Sequence, residues 1–262
     1  MPRYRLIVEY DGSGLVGWQK QDNGPSVQAL LEAAAERLAG HAVSVVGGGR
    51  TDAGVHASGQ AAHLDLAKDL CADRVRDGLN FWLRQGSPAA PVSVLSAARA
   101  VDGFHARFSA IGRRYRYRII NRRAPLALDL GRAWWVQRPL DAQAMHDAAQ
   151  LLVGHHDFST FRAAECQASS PMKTLDRLEV RRVGAEIEII TAARSFLHHQ
   201  VRNMAGSLKL VGEGKWRADD LAAAFLARDR RQGGATAPAA GLTLVEIVYP
   251  PDLLADVLDQ LR

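Results

Sequence analysis

The hydrophobic and polar positions of this chain repeat with two periods, and each period predicts one kind of element. Between Tyr4 and Tyr10, Leu6 and Val8 share one face and Glu9 lies on the other, which is the repeat of a half-buried strand. Further extended patterns cover about 41–46, 60–66, 92–101, 113–120, 174–183, 186–192 and 242–249.

Apolar residues spaced three and four positions apart predict helices. Ser26 is a good N-cap residue, and the helix after it carries Val27, Leu30 and Leu31 before it stops near Gly40. Comparable patterns predict helices between Asp141 and Gly154, over 196–211, near 219–227, over 73–82 and at the C-terminus after Pro251.

The order strand, helix, strand occurs on both sides of about residue 105. This order predicts an α+β protein with mainly antiparallel sheets and two related halves, 1–105 and 106–262. No low-complexity linker separates the halves. We therefore expect them to share one continuous sheet or a tight interface.

Composition narrows the class of protein. The 262 residues are 47% hydrophobic and 23% charged, which is typical of a soluble globular protein. No apolar run approaches the roughly 20 residues that span a bilayer. The N-terminus runs directly into a predicted strand, so we expect no signal peptide and no membrane partner. The net charge of +5 and a pI near 9.5 fit a protein that meets a polyanion.

Cysteine and histidine spacing argues against a metal centre. Cys71 and Cys166 lie far apart, which favours a reduced, cytoplasmic protein. The histidine pairs at 155–156 and 198–199 lack the spacing that puts two ligands on one helix face. We expect neither a metal nor a nucleotide triphosphate, since the chain has no GxxxxGK[ST] loop.

The most informative segment is Gly47–Ala57, in which four glycines accompany Arg50, Asp52 and His56. Glycine loses more chain entropy on ordering than any other residue, so this density indicates a tight turn or a close approach. An aspartate in such a turn ordinarily caps backbone N–H groups. The flanking Arg50 and His56 favour a functional carboxylate, because a nearby cation stabilises its charged form. We interpret Asp52 as a catalytic nucleophile.

Two cation-bearing elements accompany this loop. The strand 113–120 places Tyr115 and Tyr117 on one face and arginines on the other. A core role is the simpler interpretation of Tyr115, whereas the arginines favour stacking on a base with phosphates held nearby.

The predicted helix 196–211 places His198 and Arg202 in a narrow stripe beside its apolar face. An exposed face is the simpler interpretation. A buried arginine needs a carboxylate partner, and Asp52 is a candidate. Gly206 is costly inside a helix, which indicates close packing against another segment.

Together these motifs resemble those of the TruA-type tRNA pseudouridine synthases. The segment GRTDAGVHA at 49–57 resembles their active-site loop. Their other motifs are matched by YDG at 10–12 with GWQ at 17–19, FHAR at 104–107 with RYRY at 114–117, FLHHQVRNM at 196–204 and AGL at 240–242. The resemblance covers nearly the whole chain. It departs at 171–173, Pro-Met-Lys, where an arginine-containing loop is expected.

The resemblance implies a homodimeric, cofactor-free isomerase that converts uridine to pseudouridine in the anticodon stem-loop of tRNA, around positions 38 to 40. It implies two RRM-like halves that share a central antiparallel sheet, with helices outside and the active cleft between the halves. It implies that Asp52 is catalytic, Tyr115 packs on the target base, Arg202 pairs with the aspartate and Leu242 lines the pocket.

The chemistry of the isomerisation agrees with these roles. The N1–C1′ bond breaks, the uracil turns, and it rejoins through C5, after the uridine has flipped out of its stack. Asp52 attacks C1′ or C6, or assists a glycal route; Tyr115 or a water removes the C5 proton. We expect further substrate contacts from His56 and, to the phosphates, from Arg50, Arg113, Arg114 and Lys20.

Two other functions remain open at this point. A non-catalytic RNA-binding module with an RRM-like sheet would use Tyr115 and Tyr117 as stacking platforms, but it leaves Asp52 unexplained. A metal-dependent phosphodiester hydrolase is opposed by the few carboxylates near the motifs.

Overall fold

The computed structural model describes residues 1–85 and 90–254 and has α+β architecture. The chain packs as two compact units, Met1–Arg113 with Leu244–Arg262, and Arg114–Thr243. The strands of the described ranges are β1 Arg3–Tyr10, β2 Val45–Gly47, β3 His56–Asp65, β4 Val92–Arg99, β5 Gly112–Asn121, β6 Trp134–Val136, β7 Gly154–Asp157, β8 Met172–Val183, β9 Glu186–Ala193 and β10 Leu242–Val248. The α-helices are α1 Val27–Ala39, α2 Ala72–Arg84, α3 Ala142–Ala149, α4 Gln200–Gly212 and α5 Ala218–Leu226.

The first unit is built on the strand order β4-β1-β3-β10, with β2 beside β3. The pairs β1–β3, β1–β4 and β2–β3 are antiparallel, as the sequence predicts. Alternate residues of β1, including Tyr4, Leu6 and Val8, are fully buried, and Leu31 of α1 and Leu79 of α2 complete the core. Burial of one strand face against two helices explains why β1 alternates.

The second unit is built on the order β5-β9-β8-β7, in which β8 pairs antiparallel with both β7 and β9. The short strand β6 runs parallel to β5. The core includes Tyr117 and Ile119 of β5, Met145 of α3 and Ile189 of β9. None of the helices in the described ranges is long and apolar enough to cross a membrane.

The predicted helix ends are confirmed where capping residues are present. The Ser26 hydroxyl accepts the Ala29 N–H at 3.2 Å, and Gly40 ends α1 in the left-handed region at φ +80°. Asp141 likewise caps α3 by accepting the Ala144 N–H at 2.9 Å. These bonds satisfy backbone groups that a helix end leaves without partners.

Other boundaries were predicted wrongly. The fourth helix begins at Gln200 and not at residue 196, because His199 adopts the left-handed conformation at φ +61°. His198 therefore lies outside α4 and shares no helical stripe with Arg202. The strand expected over 41–46 is confined to Val45–Gly47, and β6 and β7 were missed because they are too short to alternate. The expected C-terminal helix lies largely outside the described residues, after a 3₁₀ turn at Pro251–Leu254.

Candidate active site

Asp52 lies in the connection between β2 and β3, residues 48–55, which we call the aspartate loop. Its side chain is half-buried, and its neighbours Thr51 and Val55 are buried. The Asp52 carbonyl accepts the Val55 N–H at 3.1 Å, which closes a tight turn. Gly54 lies in the left-handed region at φ +76°, which a side chain would strain. The glycine-rich sequence is therefore required by the backbone.

A buried polar cluster in the same unit holds the loop on both sides of Arg50. Fully buried Gln60 donates to the Gly49 carbonyl at 2.8 Å and accepts the Gly49 N–H at 3.3 Å. The Tyr10 hydroxyl bonds the Thr51 hydroxyl at 2.7 Å. Burial raises the pKa of Tyr10 to about 12, so this hydroxyl stays protonated. Bonds to buried partners thus hold the Gly49 backbone and the Thr51 side chain, just before Asp52 in the chain.

The segment that follows β1 supports the loop from outside. The Thr51 carbonyl accepts the Trp18 N–H at 3.1 Å. A Cβ atom on Gly17 would lie 2.5 Å from that carbonyl oxygen, and one on Gly12 would overlap the Val55 carbonyl. The glycines of YDG and GWQ are thus explained by close backbone contact with the aspartate loop.

Two residues expected to bind substrate are engaged within the first unit. The Nδ1 atom of buried His56 accepts the Gly12 N–H at 3.0 Å and lies 3.2 Å from a carboxylate oxygen of Asp11. Arg113 donates to the Gly48 carbonyl at 2.7 Å and to the Arg107 carbonyl at 3.3 Å. Arg113 thereby positions the start of the aspartate loop, and His56 holds the turn that follows β1.

Arg50 and Lys20 are exposed in the same unit. The Lys20 ammonium lies 3.7 Å from Glu32, which is a weak, solvated pair. Both cations lie where a polyanion can reach them.

The tyrosines of β5 lie on its buried face in the second unit. The Tyr115 ring meets Phe196 edge to face, with 5.2 Å between ring centroids. On the other face Arg114 is exposed, whereas Arg116 lies 3.3 Å from Glu188 and Arg118 lies 2.7 Å from Glu186. Arg116 and Arg118 are therefore paired with carboxylates of β9.

Arg202 and Leu242 are linked through residues 234–242, which we call the leucine segment. The Arg202 Nε donates to the Ala237 carbonyl at 2.8 Å, and the Arg202 carbonyl accepts the Ala237 N–H at 3.2 Å. The Tyr117 hydroxyl donates to the Pro238 carbonyl at 2.8 Å. These bonds orient the guanidinium and fix the approach to buried Leu242.

The close packing predicted from Gly206 is confirmed. A Cβ atom there would overlap the Ala235 carbonyl, and one on Gly234 would lie 2.8 Å from the Ser207 backbone. The leucine segment thus lies directly on the backbone of α4.

The structure places the candidate site residues in two sets. The first unit holds Asp52, Arg50, His56, Lys20 and Arg113, and the second holds Tyr115, Arg202, Leu242 and Arg114. The ion pair between Asp52 and Arg202 stays a prediction.

Sequence reasoning missed Gln60 and the anchoring role of Tyr117. The available signal was the polar Gln60 at the start of the predicted strand 60–66, because an amide that a strand buries requires partners.

Comparison with known proteins shows the family of this chain. A family model described as tRNA pseudouridine synthase matches residues 6–109 and 148–250. The tRNA pseudouridine synthase A of Paramagnetospirillum magneticum is 63% identical over 249 residues, 95% of this chain and 96% of that protein. The proteins of the same name from Beijerinckia indica and Rhizobium meliloti are 60% and 59% identical, over 96% and 95% of this chain and 95% and 100% of their own lengths. The chain belongs to the TruA-type tRNA pseudouridine synthase family.

Proposed function

We propose that this pseudouridine synthase isomerises uridines in the anticodon stem-loop of tRNA, around positions 38 to 40, and that Asp52 is its nucleophile. The observation that carries the assignment of Asp52 is the aspartate loop itself. Its backbone is fixed by Gln60, Tyr10 and Trp18, while the Asp52 side chain stays half-buried. A carboxylate held this way loses little further freedom in the reaction.

The reaction proceeds without net change in atoms. Asp52 attacks C1′ or C6, or assists a glycal route, as the N1–C1′ bond breaks. The uracil turns while held against Tyr115 and Leu242, C5 bonds to C1′, and the bond that Asp52 formed breaks, which returns the free carboxylate. The C5 proton leaves to a base, either the Tyr115 hydroxyl or a water, and N1 becomes protonated. Arg202 pairs with the Asp52 carboxylate and orients it toward the reacting carbon.

We further propose how the enzyme is assembled and which residues contact the RNA. The RRM-like halves 1–105 and 106–262 share a central sheet and form the active cleft, and the enzyme acts as a cytoplasmic homodimer. Exposed Arg50, Lys20 and Arg114, with Arg113 and His56, contact the RNA around the target. Support comes from the motifs that these residues occupy and from the net charge of +5.

Tritium release from tRNA that carries [5-³H]uridine tests the assignment of Asp52. We expect wild-type protein to release tritium and Asp52→Ala and Asp52→Asn to lose at least about a thousandfold in kcat, since removal of a nucleophile costs that order or more. Asp22→Asn is the matched control, because Asp22 is an exposed carboxylate in the loop before α1. It should retain full activity.

Release by Asp52→Ala at the wild-type rate would overturn the role of Asp52. Mapping the product with a carbodiimide that marks pseudouridine tests the position on the RNA. Modification confined to sites outside 38 to 40 would overturn the anticodon assignment and leave the assignment of Asp52 standing.

A further inference from the structure

The loop after β4 presents an exposed aromatic side chain on a well-anchored turn. Phe104, Ala106 and Ala110 are buried, whereas Arg107 is exposed and Phe108 has 78% of its surface exposed. We call residues 104–110 the Phe108 loop. The exposed ring beside an exposed cation offers a π face and a positive charge to a partner.

The ring of His105 supports Phe108 from below. The two rings are stacked, with centroids 4.4 Å apart and planes inclined by 28°. The His105 Nδ1 accepts the backbone N–H groups of Arg107 and Phe108, at 3.1 and 3.2 Å. Burial lowers the pKa of His105, and nearby Arg3 lowers it further, so the ring is uncharged at neutral pH. Phe108 is therefore presented on a fixed support.

The Phe108 loop also packs directly against the start of the aspartate loop. Arg113 bridges the carbonyls of Arg107 and Gly48, at 3.3 and 2.7 Å. The Tyr249 hydroxyl donates to the Ala106 carbonyl at 2.5 Å, and a Cβ atom on Gly48 would lie 2.9 Å from that same oxygen. The Phe108 loop therefore lies beside the start of the aspartate loop, which carries Asp52.

We propose that Phe108 is a stacking platform for an unpaired base of the tRNA that flanks the reacting uridine, and that Arg107 binds the neighbouring phosphate. An aromatic face beside a cation is the combination that binds single-stranded RNA. We assign RNA as the partner on the basis of charge, because the cation Arg107 adjoins the exposed ring and the chain carries a net charge of +5. The proposal rests on the proposed function for the identity of the RNA.

Equilibrium binding of a tRNA transcript measures this contact separately from catalysis. We expect Phe108→Ala to raise the Kd about tenfold, within the range that base stacking gives on alanine substitution. Phe108→Trp should retain the wild-type Kd, whereas Phe108→Leu should lose most of the affinity, because leucine is apolar but has no π face. Phe81→Ala is the matched control, since Phe81 on α2 is also exposed, by 56%, and should leave the Kd unchanged.

Salt dependence separates stacking from charge. Phe108→Ala should leave the slope of log Kd against log salt concentration unchanged. Arg107→Ala should reduce that slope by about one, because one phosphate contact is lost. Light scattering on each variant measures the oligomeric state. An unchanged Kd for Phe108→Ala, or wild-type binding by Phe108→Leu, would overturn the proposal. Loss of a dimer in Phe108→Ala would also overturn it, by assigning the surface to a second copy of the chain. If wild-type protein releases no tritium, the proposed function is wrong, whereas the role of Phe108 in tRNA binding is still decided by the Kd values.

Discussion

The aspartate loop and the leucine segment each carry a candidate site residue, but different interactions hold them. In the aspartate loop, Gln60 of β3 bonds the Gly49 backbone. Tyr10 of β1 bonds the Thr51 hydroxyl. The leucine segment lies directly on the backbone of α4 at Gly206 and Gly234, and hydrogen bonds of Arg202 and Tyr117 add to this contact. A buried side-chain amide is therefore central to the first arrangement, and backbone packing on a helix is central to the second. Substitutions that change only one of these properties should therefore separate the two.

The largest effect is expected from added volume under the leucine segment. Gly206→Ala places a Cβ atom against the Ala235 carbonyl, so the backbone has to move. We expect a loss of about 3 kcal/mol in the free energy of unfolding, measured with urea at pH 7. Gly78→Ala in α2 is the matched control, because its Cβ atom meets the mobile tip of Leu38 and alanine favours a helix. Equal losses in both variants would contradict the proposed basis of this contact.

A change in chemistry at constant volume should affect the aspartate loop next. Gln60→Leu leaves the Gly49 N–H and carbonyl without their buried partner, at a cost of about 2 kcal/mol in stability. Because the loop loses its fixed geometry, we also expect kcat for tritium release to fall about tenfold or more, with KM little changed. A rise in KM with kcat unchanged would show that Gln60 serves RNA binding instead.

Gln60→Glu sharpens the same test. The uncharged carboxyl group of Glu at this position can both donate to the Gly49 carbonyl and accept the Gly49 N–H. The carboxylate anion has no proton to donate. Burial raises the pKa of this carboxyl group. Stability relative to wild type should therefore be retained at low pH and lost as pH rises through the raised pKa of the folded state. Gln19→Glu, an exposed position, should show no such trend.

A smaller effect is expected from pH in the first unit. Burial lowers the pKa of His63 to about 4, with contributions from Arg3 and His105, and its Nδ1 accepts the Ala106 N–H at 3.1 Å. The unfolded histidine binds a proton near pH 6.5, so stability present above that pH is lost as pH falls toward 4. Between pH 7 and 5 we expect a loss of about 1 to 2 kcal/mol in urea unfolding. His63→Gln should reduce this slope, and an unchanged slope would assign the pH dependence to other groups.

The smallest effect is expected from single hydroxyl groups. Tyr117→Phe removes the donor to the Pro238 carbonyl, and Tyr10→Phe removes the bond to Thr51. Each should cost about 1 kcal/mol in thermal or urea unfolding. Because Tyr10 bonds the aspartate loop, Tyr10→Phe should also lower kcat per folded molecule. Tyr117→Phe should leave kcat per folded molecule unchanged. Full stability in Tyr117→Phe would mean that backbone contacts alone hold the leucine segment.

Local signals in the sequence predicted much of the secondary structure. Ser26 and Gly40 bound the first helix, because capping and left-handed geometry depend on neighbouring residues only. The start of the fourth helix was predicted wrongly, because the apolar spacing continues through residues that are not helical. His199 turns the chain there into the left-handed region, which a periodic pattern does not reveal.

The candidate site could be predicted only in part. Asp52 stood out because glycines, a cation and a carboxylate occur within a few positions of the sequence. The contacts that brace its loop were not predicted, because Gln60 and Tyr10 approach it from strands that are distant along the chain. Arg113 shows the same limit, since its sequence context indicates RNA whereas in the structure it donates to the carbonyls of Gly48 and Arg107.

The sequence by itself determined the α+β class, the caps, the need for glycine in the aspartate loop and the family resemblance. These properties depend on composition, on short-range periodicity or on motifs that are read directly along the chain. Only the tertiary structure decided which polar side chains are buried, which arginines bond carbonyls or carboxylates, and that Phe108 remains exposed on a fixed support. Burial and hydrogen-bond partners depend on segments far apart in sequence, and only folding brings those segments together.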